Sequence, residues 1–340
     1  MRPDLEMLNR WLGPLFSLGF GAAAVVFLRR GPTYAPVAVA IVLAGWWTAA
    51  VLSRFLNVGR DGRQTRRVQR WVSLLLRTLV SGLYQNVLFF LVPLYWASST
   101  WPSINVVFVA LLCLMAVLSC FETWHRRLIL DHPAPRAAWS GTILFCALIP
   151  ALPVLTPWPL RWIIAGSAGV CACTGVWVAR TGRPRRSLAI GAGAGAAAFG
   201  LFLFAAPVLP PVPVQCPDRA LGTGIEDKEV TGRATVFPAG AERVYAWFAV
   251  TSPERYRQGV RFEWYHEGER IGRPFETSVT GGRKAGFRTW GTLSRVWPGR
   301  WRVELRTDAG QLISAQAFRV VPAPAQPPAS LESGAAVPAP

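Results

Sequence analysis

Acidic residues are scarce in this chain: Asp and Glu total 18 in 340 residues, and only five of them precede position 217. Histidine is scarcer, with three in all. Charged residues make up 16% of the chain, against about 25% in an average soluble domain. The deficit is uneven, which excludes a single soluble globule: residues 1–216 hold 19 Arg and 5 acids, whereas residues 217–322 hold 17 basic and 12 acidic groups. The shortage of His and acids leaves little material for a metal cluster or a general acid–base pair. No Gly-x-Ser-x-Gly elbow is present, so nothing marks a serine hydrolase. Five of the six cysteines, Cys113, Cys120, Cys146, Cys171 and Cys173, lie in apolar runs and read as small packing residues. Only Cys216 lies outside them, so the second half has no internal disulfide, and an interchain Cys216 bond is one route to a homo-oligomer.

Long apolar runs are what the chain does have. A bilayer's hydrocarbon core is about 30 Å thick and takes about 20 mostly apolar helical residues to cross. Seven segments meet that requirement: Trp11–Leu28, Tyr34–Leu52, Thr78–Trp96, Ile104–Phe121, Ala137–Leu155, Trp162–Ala179 and Leu188–Leu209. None contains a formally charged residue. Lipid offers the backbone no hydrogen-bond partner, so each run reads as a helix, and the alternation of barrel strands is absent. The expected architecture is an α-helical polytopic membrane bundle of about seven transmembrane helices over residues 11–209, after a cytoplasmic N-terminus of residues 1–10. The first run continues into Arg29 and Arg30 without a cleavage site and reads as a retained anchor.

Arginine placement orients the bundle, because cytoplasmic loops accumulate basic residues. An N-terminus inside puts 16 arginines in cytoplasmic segments and leaves Arg29, Arg30 and Arg161 outside. The C-terminal region then lies outside. Trp11, Trp71, Trp96, Trp101, Trp158 and Trp162 sit near span ends, as interfacial anchors do.

Arg77, Ser81 and Gln85 recur every four residues and share one face of the third span, flanked by Tyr84 and Asn86. Arg77 and Glu122 fall at similar depth on antiparallel spans, and a lone charge at depth costs roughly 2.5–3.5 kcal/mol. An Arg77–Glu122 pair is therefore expected. The stripe reads first as adhesive between helices and second as the wall of a substrate or ion path. Gly191 and Gly195, like Gly166, Gly169 and Gly175, are expected to let helix backbones approach closely. Glu122, His125, Asp131 and His132 share a loop with Arg126, Arg127 and Arg136, which disfavour a cation, and they read as a solvated rim. No metal or cofactor site is expected.

Beyond position 209 the register changes. Residues 210–217 form a proline-rich linker, part of a stiff stretch from Pro207 to Pro217 expected to hold the C-terminal region off the membrane by up to roughly 30 Å. Gly299–Thr307 alternates Trp301, Val303 and Leu305 with Arg300, Arg302, Glu304 and Arg306, the pattern of a half-buried strand. Further candidates are Val230–Phe237, Val244–Val250, Val260–Tyr265, Phe275–Val279, Phe287–Leu293 and Leu312–Val321. About seven short strands over residues 218–322 fit an all-β, immunoglobulin-like sandwich, with a small barrel as the alternative. Residues 323–340 are a Pro/Ala-rich tail expected to be disordered. Trp290, Trp297 and Trp301 read either as core or as an external aromatic surface for a sugar or a peptide strand. The region's arginines read as a solvated face.

The stretch Phe287-Arg-Thr-Trp-Gly, Pro298-Gly-Arg-Trp-Arg-Val-Glu-Leu, Gly310-Gln-Leu-Ile and Phe318-Arg-Val resembles a C-terminal domain of unknown function of bacterial envelope proteins. Phe262-Glu-Trp-Tyr-His-Glu-Gly is similar to its earlier strand and turn, and Leu88-Phe-Phe-Leu-Val-Pro-Leu-Tyr resembles the multi-span region that accompanies it in uncharacterised inner-membrane proteins. The resemblance implies this architecture and a bacterial inner-membrane location, and it brings no activity. The expected function is a non-enzymatic anchor in the lipid bilayer that presents a periplasmic β domain to an envelope protein or polymer. Transport or lipid handling along the Arg77–Gln85 face is the alternative, a membrane enzyme ranks third, and nucleic acid is not an expected partner.

Overall fold

The computed structural model describes residues 43–48, 51, 67–179, 184–254, 256–283 and 285–322; of residues 67–79, 122–123, 178–179 and 184 it describes the backbone alone. The run Trp11–Leu28, most of Tyr34–Leu52, the arginines at 54–66 and the tail 323–340 lie outside the described residues.

Helices form where uncharged apolar runs leave the backbone to bond with itself. They are α1 (Arg67–Ala97), α2 (Asn105–Cys120), the short α3 (Glu122–His125) leading into a π-helical turn (Arg126–Leu130), α4 (Pro133–Leu155), α5 (Leu160–Ala179) and α6 (Pro184–Ala205). Helix α1 begins eleven residues before the expected Thr78, so Arg67, Arg70 and Arg77 continue the helix rather than forming a loop; arginine is a good helix former. Pro133 falls in the first turn of α4, where its missing N–H costs nothing. Among the described residues four helices are long and apolar enough to cross a membrane, and α2 is a shorter apolar helix.

Helix α5 lies between α4 and α6. A Cβ on Gly195 would stand 2.9 Å from the Gly169 carbonyl, and one on Gly169 would stand 3.2 Å from the Gly195 carbonyl. These two backbones therefore touch at a point where only glycine fits, as the small-residue spacing predicts. Gly175 meets the Ala137 carbonyl of α4 in the same way, whereas Gly166 faces open space and plays no such part. Leu88, Leu91, Leu112, Ile143, Ile149 and Ile164 fill the core between α1, α2, α4 and α5.

Among the described residues the β-rich region has ten strands: β1 (Gln215–Gly222), β2 (Gly224–Glu226), β3 (Glu229–Thr231), β4 (Val236–Pro238), β5 (Arg243–Thr251), β6 (Arg257–His266), β7 (Glu269–Thr280), β8 (Phe287–Ser294), β9 (Gly299–Thr307) and β10 (Leu312–Val321). They form a three-stranded sheet β1-β5-β8, a five-stranded sheet β4-β10-β9-β6-β7 and a β2-β3 pair. Phe248 from the first sheet and Phe262 from the second lie 5.8 Å apart in a shared core with Val244, Val303, Leu305 and Phe318.

The expected strand Val230–Phe237 is two strands. Gly232 takes φ +60, a turn conformation that ends β3, and β4 then pairs in parallel with β10. The first half of β7 carries no apolar alternation, and the expected strand covered only its second half. The connector departs most from expectation. Ala206–Val208 is a turn of 3-10 helix, Leu209, Val212 and Val214 are buried, and β1 starts at Gln215. Rather than holding the β-rich region off, this stretch packs it onto the helices.

Candidate functional site

The seam begins with an unpaired sheet edge. Strand β4 covers β10 only at Arg319–Val321, so the first half of that edge has no strand partner among the described residues. Buried main-chain polar groups demand partners, and the helical region supplies them: Thr100 Oγ1 donates to the Ile313 carbonyl at 2.9 Å and Asn105 Nδ2 to the Leu312 carbonyl at 3.3 Å. From the β9–β10 turn, Gln311 Nε2 donates to the carbonyls of Leu209 and Pro210, at 3.2 and 3.0 Å. Ala309 of the same turn packs against the helical core.

Beside these bonds a cleft of about 510 Å³ opens between residues 97–101, 216–219 and 313–314. Arg219 Nη1 donates to Ser314 Oγ at 3.0 Å, and Asp218 Oδ1 accepts the Arg219 main-chain N–H at 2.8 Å. The Ser98 hydroxyl, in the wall of the cleft, is buried and has no partner among the described residues. The Cys216 thiol donates to the Asp218 carbonyl, and burial pushes its pKa up to about 11, which suppresses the thiolate. Trp101 lines the cleft, is 62% exposed and meets Trp96 edge to face. Thr100, Asn105, Gln311 and Arg219 are missing from the expected site residues. Each is a single polar residue without periodicity, and only tertiary contact reveals it.

The polar stripe of α1 is turned inward. Ser81 Oγ and His125 Nδ1 share a hydrogen bond of 2.8 Å, Tyr84 OH donates to Ser140 Oγ at 3.0 Å, and Gln85 Nε2 donates to Cys120 Sγ at 3.4 Å. Trp46 Nε1 joins the same cluster through the Ser140 carbonyl. Asn86 is half-buried beside it. The side chains of Arg77 and Glu122, and therefore their expected pair, lie outside the described residues. His125 corrects the solvated-rim expectation: it is wholly buried, 4.9 Å from the Trp139 ring. Burial lowers its pKa to about 4, so the imidazole is neutral at pH 7. No group of three or more potential metal ligands occurs among the described residues.

The three tryptophans do not make one surface. Trp301 is 2% exposed and stacks on Phe318 in the core, so it is no external platform. Trp290 lies opposite Trp247 on the three-stranded sheet, half-buried in a separate cluster with Val230 of the β2-β3 pair. Trp297 is 43% exposed, and its indole N–H donates to His266 Nδ1 at 3.2 Å. Nδ1 is thus an acceptor, and His266 Nε2–H donates to the Pro298 carbonyl at 3.0 Å.

Glu304 corrects the reading of a solvated outer face on β9. It is 1% exposed, held by Arg302 and Arg306 at 2.6 Å each. Glu263 sits opposite it on β6 and is held by Arg261 at 2.8 Å and by the Tyr265 hydroxyl at 2.7 Å. Burial, and then the Glu263 hydrogen bond, raise the Tyr265 pKa to about 12.

Residues 5–244 match the family of unknown function DUF5924. The chain belongs to that family. A second match, to the protein of unknown function DUF2914, covers residues 257–320. The first match runs through the helices, the connector and β1–β4 to the start of β5, and the second holds β6 to β10. The boundary between the DUF5924 and DUF2914 matches thus cuts through the shared β core, and the seam draws on both. No curated protein matches the chain. Among solved structures, a Se-Met labeled beta-glucosidase from Kluyveromyces marxianus is similar over 31% of this chain and 14% of its own, at 12% identity and a TM-score of 0.18.

Proposed function

We propose that this DUF5924 chain is a bacterial inner-membrane protein with its N-terminus in the cytoplasm. In this reading about seven helices form the membrane bundle, and an immunoglobulin-like sandwich is docked on its periplasmic rim. It acts without catalysis, as an anchored binding module for an envelope protein or polymer. One observation carries this reading. Residues 185–208 form an apolar segment of 24 residues, of which only Gly191, Gly195 and Ala206 are buried. At 1.5 Å per residue such a helix is about as long as the hydrocarbon core is thick, and so much uncovered apolar surface is at home in lipid. The excess of arginine on one side supports the orientation.

The α1 stripe supports anchoring over transport, because Ser81, Tyr84 and Gln85 spend their polar atoms on His125, Ser140 and Cys120 rather than on a path. The test is alkaline carbonate extraction of bacterial membranes, together with reporter fusions after residue 322. Retention in the pellet and periplasmic reporter activity are expected. Release into the supernatant, or a cytoplasmic signal, overturns the reading.

A further inference from the structure

We infer that the seam cleft takes the zwitterionic headgroup of a phosphoethanolamine-type membrane lipid; this rests on the membrane reading above and names a ligand for its rim. The cleft's charge is the first reason. The register of β1 on β5 is interrupted between Gln215 and Asp218, and the consecutive residues 216–219 all line the cleft. Arg219 and Asp218 thus bring one positive and one negative charge to the same opening. Arg219 Nη1 is engaged with Ser314, while its Nε and Nη2 have no hydrogen bond to a described residue. Asp218 accepts one main-chain N–H, and neither side chain has an ion-pair partner among the described residues. A simple anion meets the Asp218 carboxylate there, and a simple cation meets the Arg219 guanidinium. A ligand with a phosphodiester for Arg219 and an ammonium for Asp218 satisfies both.

Hydrogen bonding is the second reason. Ser98 lines the cleft, and its buried hydroxyl has no partner among the described residues; a polar group left unpaired away from water is destabilising. A phosphate oxygen or a water carried with the headgroup fills that role. The volume, about 510 Å³, falls within the range of about 300–1,000 Å³ of small-ligand clefts. The surroundings choose a lipid over a free solute. Trp96 stands exposed at the end of α1 and Trp101 stands exposed in the cleft wall, and tryptophan at a span end marks headgroup depth.

The test is native mass spectrometry of the full chain in detergent, offered equal concentrations of dioctanoyl phosphatidylethanolamine and dioctanoyl phosphatidylglycerol. The expected result is at least a fivefold excess of the ethanolamine adduct. Arg219→Gln is expected to weaken both adducts about tenfold. Asp218→Asn is expected to keep binding and erase the preference. Both residues are exposed, so the variants leave the fold in place, which circular dichroism checks. Equal adducts with the unaltered chain, or a preference that survives Asp218→Asn, overturn the inference. Soluble glycerophosphoethanolamine that displaces the lipid at equal concentration shifts the source to a free solute and overturns the lipid assignment. The adduct is read on purified chain, so it is separate from the carbonate result. Retention without lipid preference removes the cleft ligand alone, and release from the membrane removes the proposed function.

Discussion

Gln311 reaches from the β9–β10 turn to Leu209 in the connector, and its Nε2 donates to the carbonyls of both Leu209 and Pro210. One wholly buried amide thus ties the β-rich region to the end of the helices. Two fragments with separate cores are held in one arrangement by polar bonds to main-chain atoms.

Gln311→Ala leaves those two carbonyls unpaired in a buried seam, at a cost of about 2–3 kcal/mol. The connector around residues 206–214 becomes a protease site in detergent solution, and limited proteolysis should release the β-rich region at least several times faster. Unchanged protection means that the seam is held by other contacts.

Arg306 lies over both buried carboxylates of the outer sheet face, bonded to Glu304 at 2.6 Å and reaching Glu263 at 3.5 Å. Removing one partner of a buried ionic group strands the other, at about 3–5 kcal/mol. Arg306 is itself a quarter exposed, which brings the expected loss for Arg306→Ala nearer about 2–3 kcal/mol. Thermal unfolding followed by tryptophan fluorescence reads it, and a loss under about 1 kcal/mol contradicts the network.

Gly195 and Gly193 offer a paired test on one helix. A Cβ on Gly195 falls 2.9 Å from the Gly169 carbonyl, and one on Gly193 has nothing within 4 Å. Overpacking costs about 1–3 kcal/mol. Gly195→Val should lower the melting temperature in detergent, and Gly193→Val should leave it near the unaltered value. Equal effects indicate that α5 and α6 do not meet at this point.

His125 has a pKa of about 4 in the folded chain, lowered by burial from an ordinary 6.5. Above pH 6.5 it is neutral folded or unfolded and contributes no pH dependence. Below that, the unfolded chain takes up the proton first, so stability falls as pH drops from about 6.5 and levels off near 4, with a total loss of about 3 kcal/mol. Denaturant unfolding at pH 7 and pH 4.5 should show the decline in the unaltered chain and a smaller one in His125→Gln. Parallel declines place the dependence on other groups.

The helices were legible because an uncharged run of about 20 residues has one low-energy backbone state away from water. Leu312–Val321 was legible to the residue, since alternation marks a strand with one buried face. Trp301 illustrates the limit. Alternation placed it with Val303 and Leu305 on one face, but a tryptophan there reads as core or as a binding surface, and only its stacking on Phe318 decides for the core. Gln85 and Ser81 were legible as polar residues sharing a helix face, but their partners Cys120 and His125 lie 35 and 44 residues away. No local pattern encodes a distance of that kind.

By itself the amino-acid order determined the apolar cores of the described helices, the strands β5, β6 and β8 to β10, the division into an apolar first part and a charged second part, and the close glycine contacts at Gly169, Gly175 and Gly195. These come from periodicity and composition, which act over a few residues. Tertiary structure alone decided that Pro207–Pro217 is a packed junction and not a stalk, because that outcome depends on Gln311, Thr100 and Asn105 meeting main-chain carbonyls distant in the chain. It also decided that Glu263 and Glu304 are buried beneath arginines on a face that alternation assigned to water. Burial is a property of what stands opposite a residue, and that is known only once the sheets are assembled.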